Sequence, residues 1–274
     1  LTNVPDYFGQ YNPKSVVVGD AHPTTLGIHY ELSTKNRTIN YPLSTIHYPL
    51  STIHYPLSTI RMKLFTIGHS NQNMEAFIFL LQKHGINAVA DVRSYPYSRF
   101  LPHFNQAPLK EALGQESIKY VFLGKELGAR PNNQKCYLEG KAVYARIAET
   151  DEFREGIKRV LKGSQTYKIA LMCAEKDPLD CHRAILVCQY LRHLDLDINH
   201  ILNNGDLENH SHLENRMLEK HGFREFKDNE NQSVQLSLFP ETLPTREECL
   251  ATAYKIQGDK IAYVEKEEEK EENY

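Results

Sequence analysis

From Met62 onward, apolar positions fall in two alternating patterns. Short continuous runs such as Leu64-Phe65-Thr66-Ile67 and Ile169-Ala170-Leu171-Met172 suit strands buried on both faces, and between them apolar residues recur three or four positions apart, as on an amphipathic helix. The runs predict strands at 64–68, 86–92, 119–123, 168–173 and 198–202. The wider spacing predicts helices near 73–84, 108–113, 142–148, 152–162, 183–193 and 207–220. Gly85 marks a helix end, Asp151 a cap and Gly163 a second end. Strands alternating with helices predict an α/β fold over residues 62–222: three layers, a mainly parallel sheet with helices on both faces, Rossmann-like in outline.

Two segments break this rhythm. Residues 39–59 are three seven-residue units in tandem, Ile39-Asn40-Tyr41-Pro42-Leu43-Ser44-Thr45 and then Ile-His-Tyr-Pro-Leu-Ser-Thr from Ile46 and again from Ile53. A proline in every unit opposes helix and central strand, so residues 1–61 are expected to be an unstructured leader. Met62 stands directly before the first strand and is the expected biological start, with residues 1–61 a mis-called extension; a genuine Pro-rich leader is the alternative. After Gly222 the chain turns polar, and residues 223–274 are expected to form a partly disordered tail.

Composition narrows the class. Of 274 residues 41% are hydrophobic, enough for one substantial core. No run of 18 apolar residues and no signal-peptide pattern occurs, so a cytoplasmic protein without a membrane partner is expected. The net charge is −3, and Glu265–Tyr274 alone holds six Glu against two Lys. Residues 62–264 are therefore balanced, which argues against tight autonomous binding to duplex DNA. Five cysteines, an odd number, suggest thiol chemistry or core packing more than a disulfide framework.

Polar residues gather where the predicted strands end, the edge at which ligands collect in parallel sheets. His69, Ser70 and Asn71 follow the first strand. Asp91 and Arg93 close the second, with Arg99 further along its loop, and Glu126 follows the third. Cys173 and Glu175 end the fourth, and Cys181, His182 and Arg183 open the helix after it. Cys173 beside Arg183 and amide donors is placed to ionise, and Glu175 or His182 could exchange its protons. Cys173, Glu175 and His182 are thus the candidate catalytic residues; His69, Ser70, Asn71, Asp91, Arg93, Arg99, Glu126, Cys181 and Arg183 are candidates for holding substrate or anion. Asp91 and Arg93 could equally pair with each other, and Cys188, on an apolar helix face, reads as core. No metal is expected: there is no Cys-x-x-Cys pair, and adjacent Cys181 and His182 should point apart from a helix start. The cofactor is left unknown.

Phe65-Thr66-Ile67-Gly68-His69-Ser70-Asn71, Ala90-Asp91-Val92-Arg93-Ser94-Tyr95-Pro96-Tyr97-Ser98-Arg99, Leu123-Gly124-Lys125-Glu126-Leu127-Gly128 and Leu171-Met172-Cys173-Ala174-Glu175 with Cys181-His182-Arg183 form four ordered motifs. Together they resemble the bacterial family catalogued as domain of unknown function 488, over about residues 62–205. The resemblance implies the fold and the place of the site. Some members carry a DNA-repair label. Val89-Ala90-Asp91-Val92-Arg93 also resembles the segment before the active loop of rhodanese-like sulfur-transferases. In the tail, Gln235-Leu236-Ser237-Leu238-Phe239 is similar to the peptide by which bacterial repair proteins dock on the polymerase sliding clamp, with Leu236, Leu238 and Phe239 as apolar anchors and Gln235 as a hydrogen-bonding group.

Three functional classes follow. The first is an enzyme acting on a phosphate-bearing or nucleotide-like substrate in nucleic-acid metabolism or DNA repair. The second is a non-catalytic nucleic-acid adaptor recruited by the clamp. The third is a thiol-based, sulfur-transferase-like protein using Cys173 with Cys181.

Overall fold

The computed structural model describes residues 61–226 and 243–265. The leader with its repeat and the docking peptide Gln235, Leu236, Leu238 and Phe239 lie outside the described residues. In chain order the elements are β1 (Met62–Gly68), α1 (Met74–Lys83), β2 (Ala88–Asp91), α2 (Gln106–Gln115), β3 (Lys119–Phe122), α3 (Gly124–Leu127), β4 (Tyr137–Leu138), β5 (Lys141–Ala142), α4 (Tyr144–Ala148), α5 (Asp151–Ser164) and β6 (Ile169–Cys173). A π-helical segment, Arg183–Cys188, then runs into α6 (Gln189–Leu191), followed by β7 (Leu196–Ile201), β8 (Leu207–Asn209), α7 (His210–Lys220) and α8 (Arg246–Ile261).

Six strands form one sheet in the order β3-β2-β6-β1-β7-β8, parallel except for the edge strand β8. The expected α/β fold of mainly parallel strands is present. β6 lies between β2 and β1, in register with Gly68 opposite Cys173 and Asp91 opposite Met172. The carboxyl ends of these three strands therefore meet at one place.

Alternation along the strands gives the sheet two apolar faces. Phe65, Ile67, Val89, Ala170 and Met172 pack with α1 and α2 through Phe77, Leu81, Leu109 and Leu113. Leu64, Ala88, Ala90, Ile169, Leu171 and Cys173 face α5 and the π-helical segment through Phe153, Val160, Leu186 and Val187. Continuous apolar runs in β2 and β6 are thus divided between two cores, as central strands require. Among the described residues no helix is long and apolar enough to cross a membrane.

Four local expectations need correction. Thr150, not Asp151, caps α5, its side chain accepting from the Phe153 amide; Asp151 begins the helix. Gly163 lies inside α5 against Ile169 instead of ending it. Leu207–Asn209 is a strand, not the first turn of the following helix, because Asn209 caps α7 by accepting from the Ser211 amide. The largest correction concerns the tail. Within it, α8 is a 16-residue helix opened by a full capping box between Thr245 and Glu248. It buries Cys249, Leu250, Ala253 and Tyr254 against Leu213, Met217, Ile185 and Leu179. The uneven spacing of its apolar residues, among Glu and Lys, hides this face in the sequence.

Candidate functional site

The loop from β6 to the π-helical segment carries most of the chemistry. Its backbone is drawn close over β1: His69 N–H donates to Cys173 O at 2.9 Å and Ser70 N–H to Ala174 O at 2.8 Å. A Cβ on Gly68 would stand 1.8 Å from Glu175 O, so only glycine lets the loop cross there. The loop is clamped from the far side as well. Asp177 accepts two bonds from Arg216 of α7 at 2.8 and 2.9 Å, and Gln257 of α8 donates to Leu179 O at 2.8 Å and to Asp180 at 3.1 Å.

Four reactive groups meet inside this frame. Cys173 Sγ lies 3.0 Å from Glu175 Oε2, and Cys181 Sγ lies 2.9 Å from the same oxygen. His182 Nδ1 is 3.6 Å from Cys173 Sγ. Its Nε2 is 2.9 Å from Val92 O, an atom that can only accept, so Nε2 carries a proton and Nδ1 faces the thiols. The expectation that Cys181 and His182 point apart is corrected here. Cys181 is extended, with φ −133° and ψ 138°, whereas His182 has φ −60° and ψ −24°. A change of backbone conformation between neighbours turns both side chains to the same point.

Arg183 is fully buried behind the cluster. It donates to Glu175 O at 2.8 Å, to Lys176 O at 3.3 Å and, through Nε, to Thr66 Oγ1 at 3.3 Å. The helix it opens winds in π form, with the Gln189 amide reaching back five residues to Ala184 O. Such widened turns are uncommon and recur at functional sites. Burial pushes the Cys173 thiol well up, with Cys181 and Glu175 adding to the effect. Burial acts on Cys181 in the same direction, but its contact with Cys173 and the charges of Arg183 and His182 outweigh it and hold Cys181 well below the ordinary thiol range. The two buried thiols, in contact with each other, are thus shifted in opposite directions. Burial and the neighbouring Cys181 raise the Glu175 carboxyl.

The second group is Asp91, Arg93 and His69. Arg93 forks onto Asp91 with Nε at 2.9 Å and an NH2 contact at 2.6 Å, and Tyr120 donates to Asp91 at 2.8 Å. His69 lies 3.3 Å from Arg93 NH1 and stacks on Phe104, with ring centroids 4.3 Å apart. Burial lowers its pKa to about 4. Asp91 and Arg93 are thus brought to the site, but as each other's partner; the Arg93 fork is already occupied.

A cavity of about 280 Å³ opens above the cluster, near the lower end of the ~300–1,000 Å³ usual for small-molecule sites. Cys173, Glu175 and His182 line its floor, Tyr95, Tyr97, Tyr144 and Tyr263 its walls, and Arg130 its rim. Arg130 lies over the Tyr263 ring at 4.1 Å. The sequence reading missed Arg130, Tyr144 and Tyr263, and the last could not be found without α8, which carries that residue back to the site. Four candidates do not join the cluster. Glu126 pairs with Arg159, Ser70 and Asn71 bond to one another at 3.4 Å near the start of α1, and Arg99 is an exposed residue of the loop after β2.

A buried chain of hydrogen bonds continues from Arg183. Thr66 Oγ1 is 2.7 Å from His200 Nδ1, His200 Nε2 is 3.0 Å from His210 Nδ1, His210 Nε2 is 2.9 Å from Tyr254 OH, and that hydroxyl is 3.0 Å from Glu214. Arg183 can only donate at one end and a carboxylate only accept at the other. One pattern satisfies every link: each group donates onward, and both imidazoles are neutral with the proton on Nε2.

No curated protein and no solved structure matches the chain. Residues 73–190 do match the model of the family described as Domain of unknown function DUF488. This segment, which is similar to the DUF488 family, holds all four groups of the Cys/Glu/Cys/His cluster.

Proposed function

We propose that the protein is an enzyme acting on a nucleotide-like substrate, bound as a free nucleotide or as an exposed end of nucleic acid, with Cys173, Glu175 and His182 at the reacting end. The observation that carries this reading is the composition of the cavity: Cys173, Glu175 and His182 on the floor, four tyrosines in the wall and Arg130 at the rim, with Arg93 and Asp180 also in the lining. Tyrosine faces stack flat heterocycles, and a guanidinium at the rim suits a phosphate. A balanced charge over the body fits a single nucleotide better than a long duplex.

Arg130 is exposed, so its removal should leave the fold intact. Arg130→Glu is expected to weaken nucleoside monophosphate binding about 10- to 100-fold, the worth of one charge-assisted hydrogen bond, with the melting temperature unchanged. Calorimetric titration of the full chain with nucleosides, their monophosphates and short single strands measures this. No binding of any of them by the unaltered protein would remove the nucleotide reading.

A second proposal concerns recruitment. Gln235-Leu236-Ser237-Leu238-Phe239 would dock on the polymerase sliding clamp and bring the cavity to DNA under replication or repair, raising local concentration without a basic surface. The Leu238→Ala/Phe239→Ala double variant is expected to lose clamp binding in a surface-immobilised assay while its circular dichroism is unchanged. A clamp that binds neither form contradicts it.

A further inference from the structure

We infer that Cys173, Glu175, Cys181 and His182 form a binding site for one zinc-like divalent ion. This deepens the reading of the same cavity by naming what its floor holds, but its test is independent of nucleotide binding. Each residue offers one ligand atom, and the four atoms lie within 4.8 Å of one another. A tetrahedron with bonds of about 2.0–2.3 Å has edges of roughly 3.3–3.8 Å. The 3.6 Å between Cys173 Sγ and His182 Nδ1 falls in that range. The carboxylate stands 3.0 and 2.9 Å from the two sulfurs, so it need withdraw by less than about 1 Å to admit an ion.

The surroundings are those of a ligand shell. His182 Nε2–H is tied to Val92 O, which fixes the ring and leaves Nδ1 free to coordinate, the usual outer-shell support of a metal-bound histidine. The loop that carries Glu175 is held by Arg183 through two backbone carbonyls and by Arg216 through Asp177. The ligands therefore need little reorganisation. Two sulfurs exclude magnesium and calcium as preferred ions, and a set of two sulfurs, one nitrogen and one oxygen suits tetrahedral zinc. Cys173, Glu175 and His182 also line the cavity, so an ion held by them would lie at its floor, within reach of a phosphate or carbonyl oxygen of a bound ligand.

The test uses the full chain purified without chelator. Mass-spectrometric metal analysis should give one zinc per chain. Exchange for cobalt should produce thiolate-to-cobalt charge-transfer bands in the near ultraviolet and intense visible bands of tetrahedral form. Cys173→Ser and Cys181→Ser, each isosteric, should lose the charge-transfer intensity stepwise and weaken zinc binding by at least about 100-fold in competition with a chromogenic chelator, beyond the usual effect of losing an outer-shell group. A folded wild-type chain that takes up neither zinc nor cobalt overturns the inference, and so does stoichiometric metal that survives both serine changes. Metal bound without any nucleotide affinity would refute the nucleotide reading and leave the site standing.

Discussion

Arg183→Met is expected to destabilise the protein by about 3–5 kcal/mol, the usual cost of removing one partner from a buried charged network. The side chain is fully buried, and its guanidinium holds Glu175 O, Lys176 O and Thr66 Oγ1. Methionine fills most of the volume but satisfies none of them. Two carbonyls and a hydroxyl lose their donor, and Cys181 loses the charge that helps hold it low. Arg183→Lys should recover only part of the loss, since one ammonium cannot reproduce a fork reaching three acceptors in two directions. Urea denaturation checks both. A loss below about 1 kcal/mol for the methionine variant would mean that water or rearranged loop backbone replaces the guanidinium, and that the loop is not held as the geometry indicates.

The sheet was legible because its strands are continuous apolar runs punctuated by polar residues, and of the polar residues near their carboxyl ends His69, Asp91, Arg93, Cys173 and Glu175 come together while Ser70, Asn71, Arg99 and Glu126 do not. The spacing of Cys173, Glu175, Cys181 and His182 showed that they are neighbours in sequence, but not that their ligand atoms converge. That depends on an extended-to-helical change at a single peptide, between Cys181 and His182. Periodicity cannot register one such change. Arg93 was open in the sequence between pairing with Asp91 and holding a ligand; the 2.6 Å contact shows the pairing, and Arg93 also lines the cavity. The wall of the cavity was the least legible part. Tyr144 follows β5 and Tyr263 follows α8, and the Ala142 amide bonds to Tyr263 O at 2.9 Å, so two distant segments are stitched together by backbone bonds that carry no side-chain signal. α8 itself hid behind its charges, since 16 residues with a capping box and a buried stripe of small and aromatic groups read as a polar tail when counted by composition.

Acid should unfold the protein early, before most carboxylates titrate. His200 and His210 are buried in the chain that runs from Arg183 to Glu214, and His69 lies beside Arg93. Burial lowers all three. Nearby His210 and Arg183 add to the effect at His200, and Arg192 adds to it at His210. His210 falls to about 3 and His69 to about 4. Each group is a base whose folded pKa lies below its unfolded value near 6.5, so the unfolded chain binds more protons at pH 5. The stability tied to these rings is complete above that value. It is lost as the pH falls through 6.5, and the loss levels off only below the folded pKa. At pH 5 each ring held neutral costs about 2 kcal/mol, so three together lower stability by several kcal/mol, a large share of what a domain of this size has. His182 works in the opposite sense, because Cys181 and Glu175 raise it above the ordinary value, and it offsets part of the loss. Urea midpoints at pH 7.5, 6 and 5 should therefore fall steadily. His210→Gln can keep one donor and one acceptor in line between His200 and Tyr254, and should flatten the dependence by about one proton while costing stability at neutral pH. A midpoint unchanged between pH 7.5 and 5 would show that the rings carry their protons in the folded state, and that the one-directional chain from Arg183 to Glu214 does not exist.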